Sequence, residues 1–242
     1  MSLFSPMITD FWQATFLSGE VLCRNGKFTL AVNPGLSEDR RLMVLETADG
    51  SVMAVMTPAL ADRLGLHRQS GLSEPLLRGT LREAGIVLHG ADYIFYFSEA
   101  AKRALGQETP AGVVRRLTAQ DEAAFAGFQS SASEQDLDDA YVELDHWAVF
   151  GSLEQGRLVC AASMYPWQNA RVADLGVLTL PPFRAQGHAR KVVRAISRHA
   201  CEQGYEPQYR CQLDNQASAA LAEAAGLSLF GKWEVISPDA GE

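Results

Sequence analysis

The chain has 242 residues, of which 47% are hydrophobic and 21% charged, and its net charge is −8. This composition is ordinary for a globular protein that builds an apolar core without disulfide or metal staples, and the length fits one large domain or two small ones. The negative charge argues against general nucleic-acid binding and against docking on an anionic membrane.

The cysteines and the N-terminus predict a cellular compartment. The four cysteines are widely spaced and form no CxxC pair, and no histidine stands at metal-ligand spacing from them: Cys23, Cys160, Cys201 and Cys211. The N-terminus lacks the basic start and apolar run of a signal peptide, and no stretch approaches the ~20 apolar residues that span a bilayer. These features predict a soluble cytoplasmic protein with reduced thiols and no metal.

Residues 1–110 predict a small α/β domain without a chemical motif, which would support the rest or shape a substrate site. The predicted elements, in chain order, are a short helix capped by Asp10 and ending at Phe16, a strand at Lys27–Val32, a hairpin of Arg41–Glu46 and Val52–Met56 around Asp49-Gly50, helices at Pro58–Leu64 and Glu74–Glu83 with a stop at Gly85, and a strand at Ala91–Phe97. A linker at Gly106–Gly112 places the domain boundary near residue 110.

Residues 111–242 predict a second α/β domain. Its predicted elements are a strand at Val113–Leu117, a helix at Asp121–Phe128 capped by Thr118 or Asp121, an acidic helix at Ser133–Leu144, a hairpin of His146–Leu153 and Arg157–Ser163 around Gln155-Gly156, a strand at Val172–Leu180, a helix at Ala189–Glu202 followed by Gly204, a strand at Tyr209–Leu213, a helix at Ser218–Ala225 ended by Gly226, and a strand at Leu229–Val235.

The segment Thr179–Val193, TLPPFRAQGHARKVV, predicts an anion site. A strand stops at two prolines, and a short loop of small residues leads directly into a helix, whose first N–H groups have no partner within the helix. Gly187 would let a ligand approach the backbone closely. From Arg184 to Arg198 there are five basic residues and no acidic one, in a chain that is acidic overall. A phosphate or pyrophosphate fits, although a solvated basic helix face is the simpler explanation of the charge alone.

Two common phosphate motifs do not fit this segment. It lacks the Gly-Lys-Ser/Thr of the P-loop, and it has one glycine where the dinucleotide fingerprint GxGxxG has three. The hexapeptide Arg184-Ala185-Gln186-Gly187-His188-Ala189 instead resembles the Arg/Gln-x-x-Gly-x-Gly/Ala signature of the GNAT superfamily of acetyl-CoA-dependent N-acyltransferases. Asn215 and Gly226-Leu227 are similar to the family's later Asn…Gly-Phe segment, and the order of elements from Val113 to Val235 also matches.

The resemblance implies a fold and a cofactor site. The fold would be a GNAT-like mixed, mostly antiparallel sheet flanked by helices, preceded by the smaller α/β domain. Backbone groups of Val177, Leu178 and Thr179 would pair with the pantetheine arm of acetyl-CoA, and N–H groups from Ala185 to Arg190 would hold its pyrophosphate. Arg190, Lys191 or Arg194 would reach the outer phosphate of the nucleotide. Asn215 would lie near the thiol end, or cap the following helix.

The sequence departs from the family where acid–base groups are expected. Amine acetylation needs removal of a proton from the amine and benefits from a proton donor for the departing thiolate. Many GNAT enzymes place a tyrosine seven residues after the Asn, which is Ala222 here, and some place a glutamate five residues before it, which is Arg210 here. Three explanations remain open: catalysis by proximity with a water chain, substitution by other side chains, or loss of catalysis.

For substitution, we expect Asp174 as the base and Tyr165 as the acid, with His146 and His188 as further candidates. Each also has a structural explanation, as a surface carboxylate, a packed ring or a loop residue. The acidic segment Glu134–Asp145 would attract a cationic amine, or would simply be a solvated helix face.

These observations lead to one main hypothesis and one alternative. The main hypothesis is an N-acetyltransferase that moves an acetyl group directly from acetyl-CoA to the primary amine of a small molecule or peptide. The alternative is a non-catalytic acyl-CoA-binding sensor or regulatory module. We further expect no nucleic-acid or membrane partner, and homodimerisation is possible.

Overall fold

The structure is a computed structural model that describes residues 3–109, 112–168 and 170–237. Within these ranges it contains eight α-helices: α1 Pro6–Leu17, α2 Pro58–Arg63, α3 Glu74–Glu83, α4 Glu99–Gly106, α5 Glu122–Gln129, α6 Glu134–Ala140, α7 His188–Glu202 and α8 Gln216–Ala225. It contains eleven strands in the same ranges: β1 Glu20–Asn25, β2 Phe28–Val32, β3 Leu42–Thr47, β4 Val52–Met56, β5 Asp92–Phe97, β6 Val114–Arg116, β7 Ala148–Glu154, β8 Arg157–Pro166, β9 Val172–Thr179, β10 Glu206–Gln212 and β11 Leu227–Val235. No helix among the described residues is both long enough and apolar enough to span a bilayer.

The chain folds into two compact units, each built from three separate stretches of sequence. The first unit comprises the described residues of 1–8, 95–210 and 216–228, and the second those of 9–94, 211–215 and 229–242. These units divide the chain differently from the single boundary predicted near residue 110. The physical reason is long-range strand pairing, because Gly231–Val235 of β11 pairs antiparallel with Met43–Thr47 of β3. The last strand therefore belongs with the early part of the chain.

In the first unit, the strands that position the site run in the order β6, β7, β8, β9, β10. The first four pair antiparallel, and β9 pairs parallel with β10. Helices α5 and α6 cover one sheet face, where Phe125, Phe128 and Val142 pack against Ala161 and Leu178. Helix α7 covers the opposite face, since its His188 contacts Ser152 of β7.

The second unit has its own apolar core. Strands β1, β2, β4 and β3 form a sheet with β11, in which only the β2–β4 pair is parallel among the described strands. Leu30, Leu42, Ala54 and Met56 of this core are fully buried. Both units therefore confirm the predicted fold class, a mixed α/β protein whose mostly antiparallel strands are flanked by helices.

Both predicted hairpins are present. Strands β3 and β4 pair antiparallel on either side of Asp49-Gly50, where Gly50 has φ of 79°. Strands β7 and β8 pair antiparallel around Gln155-Gly156, which have φ of 49° and 79°. Glycine is favoured where φ is positive, and positive φ at two consecutive residues, as at Gln155-Gly156, is typical of the tight turns that match strand twist; these turn residues explain why the sequence revealed both hairpins.

Several predicted boundaries were wrong. Helix α1 begins at Pro6, so Asp10 lies inside it and does not cap it. Helix α6 ends at Ala140, not Leu144, because Tyr141 adopts φ of 46° and terminates it. Strand β10 begins at Glu206, three residues before the predicted start, and α4 and β1 lay in segments for which no element was predicted. The predicted linker begins at Gly106, the last residue of α4, and positions 110 and 111 lie outside the described residues.

Candidate active site

The loop predicted to bind an anion has the backbone expected of a phosphate cradle. Ala185 and Gly187 both have positive φ, 61° and 81°, so successive N–H groups face one concave side of the chain. Helix α7 begins at His188. The Lys191 N–H donates a hydrogen bond to the Gly187 carbonyl at 3.2 Å, which connects the first turn of the helix to the loop. A Cβ atom built on Gly187 would meet no atom within 4 Å. The N–H groups of the first turn therefore face space that an anion can occupy.

Within the described part of the chain, the last residues of strand β9, just before this loop, pair with a neighbouring strand on one side only and so form a local sheet edge. The parallel pairing of β9 with β10 ends at Leu175 and Tyr209, whereas its antiparallel pairing with β8 continues to Thr179. Among the described residues of this unit, 176–179 thus pair with a strand on one side only. Val177, Leu178 and Thr179, the residues expected to hold the pantetheine arm, lie on this edge. The Thr179 carbonyl already accepts a hydrogen bond from Arg184 Nε at 3.1 Å.

Two side chains of the loop, those of His188 and Gln186, bind other parts of the protein. His188 is 9% exposed, and its Nδ1 lies 2.9 Å from Ser152 Oγ. Its Nε2 lies 3.5 Å from a Glu154 carboxylate oxygen. Gln186 Nε2 donates to the Pro182 carbonyl at 3.0 Å. The imidazole of His188 therefore anchors the start of α7 to β7.

The basic residues of α7 have partners inside the protein that the sequence did not reveal. Arg190 Nε donates to the Ala224 carbonyl at 2.8 Å, and Arg194 binds the Ala225 carbonyl and the Glu108 carboxylate. These arginines stabilise the C-terminal end of α8, where cations are favourable. A cleft of about 290 Å³ runs along the same helix, lined by the four basic side chains of α7 and by apolar groups: Arg190, Lys191, Arg194, Arg198, Leu105, Val114 and Phe150.

Asp174 lies in a polar network on the α6 face of the sheet. It is 5% exposed, not the surface carboxylate that its position at a strand start would give. Arg210 of β10 donates to Asp174 Oδ2 at 2.7 Å, and Gln208 Nε2 donates to Oδ1 at 2.8 Å. The guanidinium of Arg210 also lies over the Trp167 ring, 4.9 Å from its centroid. Some GNAT enzymes have at this position a glutamate that acts as the general base. This chain has instead a cation, Arg210, that pairs with the carboxylate of the neighbouring strand.

Tyr165 completes this network from β8. Its hydroxyl donates to Asp174 Oδ2 at 3.3 Å. Burial raises the pKa of Tyr165 to about 12, and the negative charge of Asp174 adds to this effect. The phenol therefore keeps its proton at neutral pH. The other family position, seven residues after Asn215, holds the fully buried Ala222, which has no group that could replace it.

Three rings meet beside the edge of β9. His146 lies 4.9 Å from Tyr165 and 5.0 Å from Tyr141, between ring centroids. Its Nδ1 is 2.8 Å from Ser163 Oγ, and Ser163 pairs with Gly176, the first residue of the one-sided edge. The close approach of α6 requires Gly176 to be glycine, because a Cβ there would lie 2.0 Å from the Ala140 carbonyl oxygen. The structure therefore brings Tyr165, Asp174 and His146 together on one face.

The remaining candidates lie elsewhere. Asn215 directly precedes α8, and its N–H donates to the Gln212 carbonyl at 3.1 Å; it belongs to the second compact unit. The acidic residues of α6 are mostly exposed, but Asp136 binds Arg184 at 2.9 Å. Sequence reasoning missed Gln208, Arg210 and Ser163 as site residues. The two-residue spacing of Gln208 and Arg210, which puts both on one strand face, was the available signal.

Comparison with known proteins identifies the family. The family model for GNAT acetyltransferases matches residues 102–236. An acetyltransferase of the GNAT family from Colwellia psychrerythraea is 18% identical, with 78% of each chain covered and a TM-score of 0.53. A putative GNAT acetyltransferase from Novosphingobium aromaticivorans is 15% identical, with 63% of this chain and 66% of that chain covered and a TM-score of 0.46.

An aminoglycoside N-acetyltransferase solved in complex with CoA is 20% identical, with 48% of this chain and 90% of that chain covered and a TM-score of 0.37. The search of curated proteins gave no match. This chain spans just under two thirds of the length of the Novosphingobium protein. The family match extends over more than half of the residues and includes the loop, β9 and the polar network. The chain therefore belongs to the GNAT acetyltransferase family and is an acyltransferase.

Proposed function

We propose that this protein is an N-acetyltransferase that moves the acetyl group of acetyl-CoA directly to a primary amine. One observation carries the proposal: the exposed edge of β9 connects the anion cradle at Gly187 with the polar cluster at Asp174. From Asp174 to Thr179 the strand spans about 17 Å at roughly 3.3 Å per residue. This length suits an extended pantetheine arm whose pyrophosphate lies at the loop and whose thioester lies near Tyr165.

The residues present fit this cosubstrate. The positive φ values at the loop expose N–H donors, and the open space at Gly187 accommodates a phosphate. The edge residues of β9 offer backbone groups that an amide-containing arm can pair with as an added strand. The cleft along α7 is the place for the nucleotide. Arg194 and Arg198 in this cleft are paired with Glu108 and Glu202, whereas no ion pair is found for Arg190 or Lys191 among the described residues, so these two cations are the ones for the outer phosphate.

When bound, acetyl-CoA supplies an activated acetyl thioester, and the remaining chemistry falls to the side chains. Tyr165 is the proton donor for the departing sulfur, because its hydroxyl lies beside Asp174 at the thioester end of β9 and carries a proton at neutral pH. Asp174 holds Tyr165 and Arg210 in place, since both of its oxygens already accept hydrogen bonds from the protein. This role differs from the free base expected from the sequence.

The acceptor is expected to be cationic. Tyr141, which is 56% exposed, directly follows α6, and exposed carboxylates lie on that helix and on the segment after it: Glu134, Asp138, Asp139 and Asp145. A field of this sign concentrates ammonium groups before they lose a proton.

The test is release of CoA thiol from acetyl-CoA in the presence of defined amines: spermidine, lysine, an aminoglycoside and a short peptide with a free N-terminus. We expect turnover with at least one of them, and Tyr165→Phe should lower kcat by about 10²-fold or more without changing acetyl-CoA affinity. Tyr205→Phe is the matched control, because Tyr205 packs on Trp147 away from Asp174. Tight acetyl-CoA binding with no turnover for any amine would instead favour the acyl-CoA sensor.

A further inference from the structure

We propose that His146 is the general base that removes the proton of the acceptor amine, and that Ser163 is the residue that positions it. This assignment rests on the proposed acetyl transfer. It fills the role left empty by Arg210, which stands where other family members have a glutamate. The support comes from the location of the ring, its hydrogen bonds and its neighbours.

The location of His146 suits a base. The residue lies just before β7 and is half-buried, between the end of α6 and the surface of β8. Its ring contacts Tyr165, the proposed acid, with 4.9 Å between centroids. Its bonding partner Ser163 sits opposite Gly176, where the edge of β9 begins. Acid and base would thus lie side by side at the thioester end of the pantetheine edge.

Ser163 fixes the tautomer of the ring. This serine is fully buried, and its Oγ accepts a hydrogen bond from the Glu143 N–H at 3.2 Å. The Ser163 hydroxyl can donate to the Tyr141 carbonyl at 3.5 Å, which directs its remaining lone pair to His146 Nδ1 at 2.8 Å. Nδ1 then carries the hydrogen, and Nε2 carries the lone pair that accepts a proton from the amine.

The surroundings keep this imidazole neutral at physiological pH. Burial lowers the pKa of His146, and the nearby carboxylates of Asp145 and Glu143 oppose this only in part. The other groups that face it are the Tyr141 ring from the end of α6 and the Tyr165 ring from β8, behind which lies the Asp174–Arg210 pair of β9 and β10. A neutral imidazole with a pKa below its usual 6.5 is already deprotonated at pH 7 and is ready to accept a proton.

The proton and bond changes balance. An acceptor ammonium gives one proton to Nε2 of His146, which passes it to solvent. A bond then forms between the amine nitrogen and the acetyl carbon, while the carbon–sulfur bond breaks and the sulfur takes the phenolic proton of Tyr165. The second nitrogen proton leaves through His146, and Tyr165 is reprotonated from solvent. No oxidant, metal or additional reactant is required.

The first experiment compares full-length wild type and His146→Gln in the thiol-release assay from pH 5.5 to 9.5, with the best amine from the panel. In the wild type, kcat/KM should rise to a plateau as His146 loses its proton, with a midpoint below pH 6.5 for this limb. In His146→Gln, kcat/KM at pH 7 should fall about 100-fold and keep rising toward the pKa of the amine itself. His67→Gln is the control, since His67 is an exposed histidine of the second unit whose Nε2 lies 3.4 Å from Asp62, outside the proposed site.

A second readout requires no turnover. In the unliganded protein, ¹⁵N chemical shifts of His146 should report a neutral ring protonated at Nδ1 at pH 7, and Ser163→Ala should shift the tautomer balance toward Nε2. Ser131→Ala, which removes an exposed hydroxyl, should leave the ring signals unchanged.

The possible results separate the two proposals. An unchanged pH profile and rate in His146→Gln, or a ring protonated at Nε2 in wild type, would overturn the assignment of the base while the acetyl transfer stands. Lack of turnover in the wild type with every amine would instead remove the proposed function, and the assignment of a base would fall with it.

Discussion

At the scale of single residues, the central feature of the site is an ion pair between two neighbouring strands. Asp174 on β9 and Arg210 on β10 lie 36 positions apart in sequence, and both of the Asp174 oxygens lie within hydrogen-bonding distance of the guanidinium. A buried carboxylate is costly unless it is paired, so the contact with Arg210 offsets the cost of burying Asp174. The Asp174 carboxylate lies next to the hydroxyl of Tyr165 and adds to the rise in the pKa of that phenol. The same pair therefore stabilises the fold and holds the group proposed as the acid.

Asp174→Asn tests this coupling. The substitution leaves Arg210 without its counter-charge, so the free energy of unfolding should fall by about 2–3 kcal/mol, less than for a fully buried pair because the Arg210 side chain is 26% exposed. Acetyl transfer should slow while acetyl-CoA affinity stays the same, and the pKa of Tyr165 should move down toward its ordinary value. Urea unfolding, thiol release and a tyrosine titration measure the three effects. Asp138→Asn, which changes an exposed carboxylate of α6, serves as the control, and a stable Asp174→Asn protein with full activity would contradict the coupling.

At the scale of elements, the junction between β9 and α7 carries the proposed anion site. The strand ends at Thr179, a short helical turn at Pro181–Phe183 follows, and α7 starts four residues later with two backbone positions in the left-handed region. Such a loop leaves helix N–H groups pointing to open space, and the partial positive charge at the N-terminus of α7 adds to their effect. His188 holds this junction to β7 through Ser152, so the cradle is built on rigid elements.

Gly187→Glu should abolish acetyl-CoA binding and leave the fold intact. The carboxylate would occupy the phosphate space and repel the pyrophosphate, and the positive φ would add a strain of about 1–2 kcal/mol. Gly204→Glu is a close control because Gly204 lies just past the other end of α7, has φ of 76° and also has open space at its Cβ position. Isothermal titration with acetyl-CoA should therefore show loss of binding in the first variant and retention in the second. Retained binding in Gly187→Glu would exclude this loop as the pyrophosphate site.

At the scale of the whole molecule, the proposed catalytic residues belong to the first compact unit, the second unit has a separate core, and the family match includes segments of both units. The second unit contains residues 9–94 together with two short later segments, and the family match begins at residue 102. The net charge of −8 favours cationic ligands at a distance, so under the proposed function anionic acetyl-CoA would depend on the local donors of the cradle. Affinity for acetyl-CoA should consequently be carried by a few backbone groups and should be detectable as a specific effect on stability.

Thermal unfolding with acetyl-CoA measures that effect. At a hundred times the dissociation constant, the ligand should stabilise the protein by about 2.7 kcal/mol, which corresponds to a rise in Tm of roughly 5–10 °C for a chain of this size. NAD and ATP should cause a much smaller shift, since they lack the pantetheine arm that pairs with β9. An equal shift with all three nucleotides would indicate nonspecific phosphate binding, and no shift with acetyl-CoA would remove the cofactor assignment.

The sequence by itself determined the local features of this protein: both hairpins, the helix that became α7, the loop around Gly187 and the resemblance that the family match confirmed. These depend on residues close together in the chain, where turn chemistry and helical periodicity act. Only the tertiary structure decided that β11 pairs with β3, that Arg210 neutralises Asp174 and that Ser163 holds His146. Such contacts depend on strand register and on which faces of distant elements meet, and a single sequence records neither, because the free energy that selects them comes from packing across the whole fold.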